Sequence, residues 1–320
     1  MKLFRSGSNE ASVLGVQFNA SGIALAYASA QGATPRPSHR ASHRDSPRID
    51  QCEFIPHTGS SAPHQSLRDR LDHLGLRGKR GHLVLSRDDY SLFLVEAPPV
   101  PEQELRQALA WKVRELIDFP VAEAVVDAFL LPEDKTRSGV RMAYVAVSRR
   151  NTITRLVDFA SQSGFKLASI DIPELALRNL VLRCCDTQRG AALVRLVPGG
   201  GSLQIVRGEE LFLARQFALP YQGGLLEDLP ADELVLELQR SLDYFERQMR
   251  QPPPAQIYLA GENVSADKLS PEIKSALSAE VKMLDLESGL EIDPQIPSHQ
   301  LSLCLDALGV ALRVEQRKEA

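Results

Sequence analysis

Gly75-Leu76-Arg77-Gly78-Lys79-Arg80 offers two glycines and a lysine in the manner of a phosphate-binding loop, which works by aiming backbone N–H groups and an ammonium at phosphate oxygens. The spacing is short, and Arg80 follows the lysine where a Ser or Thr belongs, so the segment reads as a basic turn before a strand. His39 and His43 could ligate a metal, but no carboxylate or thiol stands at a proper spacing from them, which makes them part of a solvated linker. Cys52, Cys184, Cys185 and Cys304 form no C-x-x-C pair and have no His at zinc-ligand distance; they read as core thiols rather than disulfide or metal ligands. No G-x-S-x-G, H-E-x-x-H or G-x-G-x-x-G occurs, so hydrolase, zinc-peptidase and dinucleotide chemistry lack a starting residue, and neither a catalytic nor a metal-binding residue is assigned.

The elements around these residues follow from the spacing of apolar side chains. Residues 13–18 and 23–27 read as a hairpin turning at Asn19-Ala20-Ser21-Gly22, and a third strand is expected near Cys52-Ile55. Between them, about 31–48 is Gly, Ala, Pro, Ser, His and Arg with little to bury, a flexible insertion. Helices are expected over 65–74, 102–117, 151–164 and 173–183, and strands over 82–86, 91–95, 124–131, 140–147 and 166–172. Trp111, inside the second of those helices, is expected in the core. After a polar break at Thr187-Gln188-Arg189-Gly190, the opening plan returns: strands at 191–197, 202–206 and 211–219 joined by Pro198-Gly199-Gly200-Gly201 and Arg207-Gly208-Glu209, a helix at 232–251 stopped by Pro252-Pro253-Pro254, a strand at 256–259, further elements at 266–277 and 281–284, and a last helix at about 300–314.

This repeated plan predicts an α/β, actin-like fold made of two ribonuclease-H-type halves, 1–189 and 190–320, with a small inserted αβ module at about 88–165. A chain of 320 residues with 43% hydrophobic content fills two such cores. No apolar run reaches the roughly 18–20 residues of a membrane helix, and the first residues lack a signal-peptide h-region, so the cytosol is the expected compartment. The net charge of −4 gives no pull towards nucleic acid; residues 1–80, with 11 Lys and Arg against 6 Asp and Glu, are basic, a bias read mainly as solvated surface.

Several segments, in order and spread over most of the chain, resemble the PilM family of actin-like type IV pilus assembly proteins, and more closely the MshI relatives of the mannose-sensitive haemagglutinin (MSHA) pilus. They are Leu14-Gly15-Val16-Gln17-Phe18, the run from Ala110 to Pro120, Asp127, Val145-Ala146-Val147-Ser148, the run from Ala168 to Arg178, that from Leu238 to Phe245, and Ala307 to Arg313. The resemblance implies a cleft in which a glycine-rich hairpin from each half wraps ATP phosphates and an acid near each hairpin helps hold the metal. This chain has Gln17 and Arg195 at those acidic positions, Asn19-Ala20-Ser21 for Gly-Ser-Ser in the first hairpin, Val197 for a glycine before Gly199-Gly200-Gly201 in the second, and of the Gly-Gly that closes on adenine it keeps Gly261. Gln17, Asn19, Ser21, Arg195, Gly199, Gly200, Gly201 and Gly261 are therefore degenerate nucleotide-cleft positions. Gly199–Gly201 could still present N–H groups to a phosphate and Arg195 could pair with one, while a plain tight turn is the simpler reading.

The implied role is a cytoplasmic scaffold, peripheral at the inner membrane, that requires no cofactor, has no efficient ATP hydrolysis, and binds the cytoplasmic tail of an inner-membrane PilN/MshJ-like protein in a groove of the first half and its module. The alternative is an ATP-binding member whose nucleotide state regulates pilus or type II secretion assembly. A type II secretion protein of this fold would normally continue into a membrane helix, and none follows Arg313, which ranks that version lower.

Overall fold

The computed structural model describes residues 12–29, 47–57, 59, 61–132, 141–221, 229–261, 264, 277 and 279–313. β1 (Ser12–Phe18) and β2 (Gly22–Ser29) form the expected hairpin, and β3 (Arg48–Pro56) extends it antiparallel along β2. Leu14, Val16, Ile23 and Leu25 are fully buried, because these strands have elements packed on both faces. After α1 (Pro63–His73) the chain turns through Gly75 and Gly78, both at positive φ, into β4 (Arg80–Val84), parallel to β1. The basic segment is thus a turn at 75–79 leading into the strand at Arg80, and its Gly78 N–H donates to Gly164 O. β8 (Lys166–Asp171) lies parallel to β4, and the two-residue β14 (Glu291–Ile292) returns late in the chain to pair with β3, giving the order β14-β3-β2-β1-β4-β8.

The second sheet repeats this layout. β9 (Ala191–Val197), β10 (Gly200–Arg207) and β11 (Glu210–Ala218) are antiparallel neighbours, and β12 (Gln256–Gly261) and β13 (Glu280–Met283) add in parallel beyond β9, in the order β11-β10-β9-β12-β13. α5 (Ala231–Asp243) covers one face, burying Leu234 and Leu238, and runs into a π-helical turn, Tyr244–Gln248, where Phe245 is buried; the predicted single helix to 251 is therefore shorter and loosened at its end, ahead of the three prolines. Between the sheets lie α4 (Pro173–Cys184), α6 (Ser298–Leu303) and α7 (Leu305–Ala311), whose Leu177, Leu180, Leu301, Leu305 and Leu308 share one core with Ala24 and Ala26 of the first sheet and Leu193 and Ala260 of the second. The expected helix over 300–314 is two helices broken at Cys304. α7 sits unusually close to its neighbours: a Cβ on Gly15 of β1 would overlap Ala307 O, and one on Gly309 would overlap Ala176 O.

The inserted module holds β5 (Tyr90–Glu96), α2 (Glu102–Lys112), β6 (Ala124–Leu130) and β7 (Met142–Arg149), with strand order β5-β7-β6; α3 (Arg150–Ser163) follows and closes on Gly164 at positive φ. Leu105, Leu109 and Val113 face the small sheet, but α2 ends at Lys112 and a tight turn carries Val113–Glu115, so Leu116 is 51% exposed. Trp111 is 64% exposed and not in the core: on a helix it stands about 200° round from Leu109, away from the stripe that packs. Cys52 and Cys304 are buried thiols as expected, whereas Cys184 and Cys185 are only half-buried at the end of α4. Most of the insertion at 31–48, with His39 and His43, and most of 266–277 lie outside the described residues. Among the described residues no helix is long and apolar enough to cross a membrane.

Gln204, on β10, is 2% exposed and both atoms of its amide lack a hydrogen-bond partner among the described residues. Removing an unsatisfied buried amide in favour of carbon relieves its desolvation, so Gln204→Leu is expected to raise the unfolding free energy by roughly 1–3 kcal/mol in a denaturant titration. An unchanged or lower midpoint would mean the amide is satisfied in solution.

Candidate functional site

The two hairpin turns come from the same local chemistry. In the first, Asn19 Oδ1 accepts the N–H groups of Ser21 (2.9 Å) and Gly22 (3.0 Å), an Asx turn, and Asn19 N–H donates to Gly22 O at 3.0 Å. His57 Nε2 adds a bond to Asn19 O at 2.9 Å. In the second, Gly199 takes φ +81° and donates its N–H to Tyr221 O at 2.6 Å, while Gly200 and Gly201 are paired on both sides, with Val197 and Leu196 of β9 and with Ala218 and Phe217 of β11. Glycine is needed at 201 because a Cβ would meet the Phe217 ring, and at 200 because one would meet Phe217 O and the Arg87 guanidinium. The donors that a phosphate cradle needs are in large part spent inside the protein.

Gln17, at the end of β1, is 6% exposed and donates from Nε2 to Asp306 Oδ2 at 2.7 Å. Arg195, on β9, is ion-paired with the other oxygen of Asp306. Asp306 lies in the first turn of α7, is 2% exposed, and so joins the first strand of each sheet through one carboxylate. Gly261 ends β12 opposite Leu196, where a Cβ would press on Leu196 O; it belongs to the second sheet and not to this junction.

A second polar group lies along the same interface. Glu174, in the first turn of α4, is 4% exposed; Tyr90 OH donates to its Oε2 at 2.6 Å and Gln216 Nε2 to its Oε1 at 3.0 Å. Burial pushes its carboxyl above the usual carboxylate range, and the bonds from Tyr90 and Gln216 pull it back down. Arg87 is held by the turn Arg87–Asp89, itself fixed by reciprocal Ser86 and Asp89 capping bonds, and reaches across to Gln216 Oε1 and Phe217 O, both at 3.1 Å. Tyr144 of the module accepts the Ala214 N–H at 2.8 Å and donates to Ala214 O at 3.2 Å, so the edge of β11, which has no second strand beside it among the described residues, is covered by the Tyr144 and Arg87 side chains. Deeper in the first sheet, Arg313 reaches Asp171 at 2.8 Å and Ser169 at 3.2 Å, and Ser169 meets His82 at 2.6 Å. Burial and the charge of Arg313 lower His82 to about 3, so it stays neutral at physiological pH and acts as a structural member.

Of the eight positions taken from the sequence, then, Gln17 and Arg195 meet on a shared partner, Asn19 and Ser21 shape one turn, Gly199–Gly201 the other, and Gly261 stands apart. Asp306, Glu174, Arg87, Tyr90 and Gln216 belong to no site motif of the sequence and join these positions only in the fold. The available signal was an acid, Asp306, set within the otherwise apolar run Leu303–Leu312.

Beside the module is an open groove of about 370 Å³. Its floor is Ala124, Val125 and Val126 of β6, one wall is Arg106 of α2, and the other is Arg150, Ile153, Thr154 and Val157 of α3. β6 is the edge strand of its sheet, paired among the described residues with β7 alone.

No family model and no curated protein matches the chain. Among solved structures, it is similar to a chain of a PilM-PilN type IV pilus biogenesis complex, with a TM-score of 0.70 at 20% identity over 94% of this chain and 97% of that one. Weaker likenesses include the cytoplasmic domain of EpsL, an inner membrane component of the type II secretion system of Vibrio cholerae (TM-score 0.48, 12% identity, 92% of this chain and 94% of that one), and a Bacteroides thetaiotaomicron protein with an actin-like ATPase fold (TM-score 0.48, 11% identity, 85% and 90%). With its two sheets of matching strand order, the chain has the actin-like fold.

Proposed function

We propose that this chain is a cytoplasmic scaffold of a type IV pilus assembly platform, of the MSHA kind, that captures the cytoplasmic tail of an inner-membrane protein resembling PilN or MshJ. The observation that carries the reading is the groove beside β6. It offers a strand edge with no second strand beside it among the described residues, where Ala124 O is held by Arg150 at 3.2 Å; an extended peptide that displaces this guanidinium can add a strand there and drop alternate apolar side chains against Ile153 and Val157. Likeness in fold to a chain solved in a PilM-PilN complex supports a partner of that type.

The same proposal holds that ATP hydrolysis is negligible. Gln17 and Arg195 stand where the resemblance implies metal-associated acids, and both are engaged by Asp306, so at these two positions an amide and a guanidinium replace the carboxylates that would hold a nucleotide-bound cation. Losing that charge stabilisation removes several kcal/mol from the transition state, many orders of magnitude in rate. Calorimetry with the purified chain tests the capture, and phosphate release in magnesium ATP, expected at background, tests the hydrolysis. A synthetic tail of the inner-membrane partner should bind at micromolar affinity, about −8 kcal/mol, with or without magnesium ATP. No heat with the tail would remove the scaffold reading, and tight ATP binding that changes tail affinity would replace it with the nucleotide-regulated one.

A further inference from the structure

Asp306 carries a guanidinium on one oxygen and an amide donor on the other, and the two donors come from different sheets: Arg195 from β9, Gln17 from β1. A buried carboxylate bridged in this way has the charge pattern of a site where a positive ion ties two halves together, with the ion here part of the chain. We infer that Arg195 is a built-in cation that stands in the place of a divalent metal ion, so that the two halves are held closed with no ligand. Arg87 on Gln216 and Phe217, and Tyr144 on Ala214, add ties across the same interface that use only side chains and backbone. The inference rests on the proposed reading of Gln17 and Arg195 as former cation-site positions, and is independent of the tail-binding groove.

Arg195→Asp tests it directly, because it sets a second carboxylate opposite Asp306 and removes the positive charge between them. In chelator this variant should melt roughly 5–15 °C below wild type, as expected for a broken buried pair. Added Mn²⁺ should restore most of that loss, with one Mn²⁺ bound per chain by electron paramagnetic resonance, since a ligand that binds only the folded state raises its stability. Wild type should bind no Mn²⁺ at this site and keep its midpoint, and Arg195→Ala should fall without rescue. A folded Arg195→Asp protein indifferent to Mn²⁺ would overturn the inference. Should that variant fail to fold, Arg195→Lys against Arg195→Ala decides: Lys should keep the Gly199–Gly201 amides as protected from hydrogen exchange as in wild type while Ala exposes them, and equal exchange in the two would overturn it.

Discussion

Asp306→Ala is expected to cost roughly 3–5 kcal/mol of unfolding free energy, the largest loss from any single side chain at the interface between the sheets. The reason is what the substitution leaves behind. Arg195, its side chain 14% exposed, keeps its charge and loses the partner that offsets its burial, and the Gln17 amide loses its 2.7 Å acceptor. Exposed pairs give the contrast: Arg240 and Glu237 lie one turn apart on α5 with the arginine side chain 59% exposed, and breaking them should change stability by less than about 1 kcal/mol. Asp306→Asn should fall between, because its one carbonyl oxygen can still accept from Arg195 or from Gln17 but not from both. Urea titrations of the three variants check the order. A cost for Asp306→Ala no greater than that of the α5 pair would mean the carboxylate does not join the sheets.

Much of the architecture could be read from the sequence, and what escaped was tertiary. The two strand triplets were legible because Leu14, Val16, Ile23 and Leu25, and later Leu193, Leu203 and Ile205, are apolar runs cut by Gly and Asn turns, a signal that is local. The helix ends were harder. α2 stops at Lys112 through a tightened last turn, and the long apolar run after Gln300 conceals a break at Cys304, since periodicity alone does not say whether the backbone continues. Trp111 shows a related limit: a large aromatic suggests burial, but its angular position on α2 sets it opposite Leu105 and Leu109. The junction was half legible. Resemblance pointed to Gln17 and Arg195, whereas Asp306, nearly 290 residues from the first and 111 from the second, becomes their partner only when α7 folds back between the sheets. Glu174 and Tyr90 share that history, lying far apart in the chain and within hydrogen-bonding distance in the fold.

Thr154→Trp and Val157→Glu should each weaken binding of the membrane-protein tail by about 100-fold or more, with the folded chain intact, whereas Trp111→Ser should leave it unchanged. Thr154 is an exposed wall residue of the groove, so an indole there fills the space an added strand would take without disturbing the core. Val157 is half-buried on the next turn of α3, and a carboxylate at that point removes apolar contact area and leaves a charge to be desolvated by any side chain that docks. Trp111 is the competing anchor, because exposed tryptophans are frequent hot spots in interfaces. It lies on the far side of α2 from the sheet, while the groove is on the β6 and α3 side, so one short tail cannot depend on both in the same way. Titration calorimetry on the three variants separates the two surfaces. Loss of binding in Trp111→Ser with Thr154→Trp unaffected would move the docking surface from the strand edge to the outer face of α2.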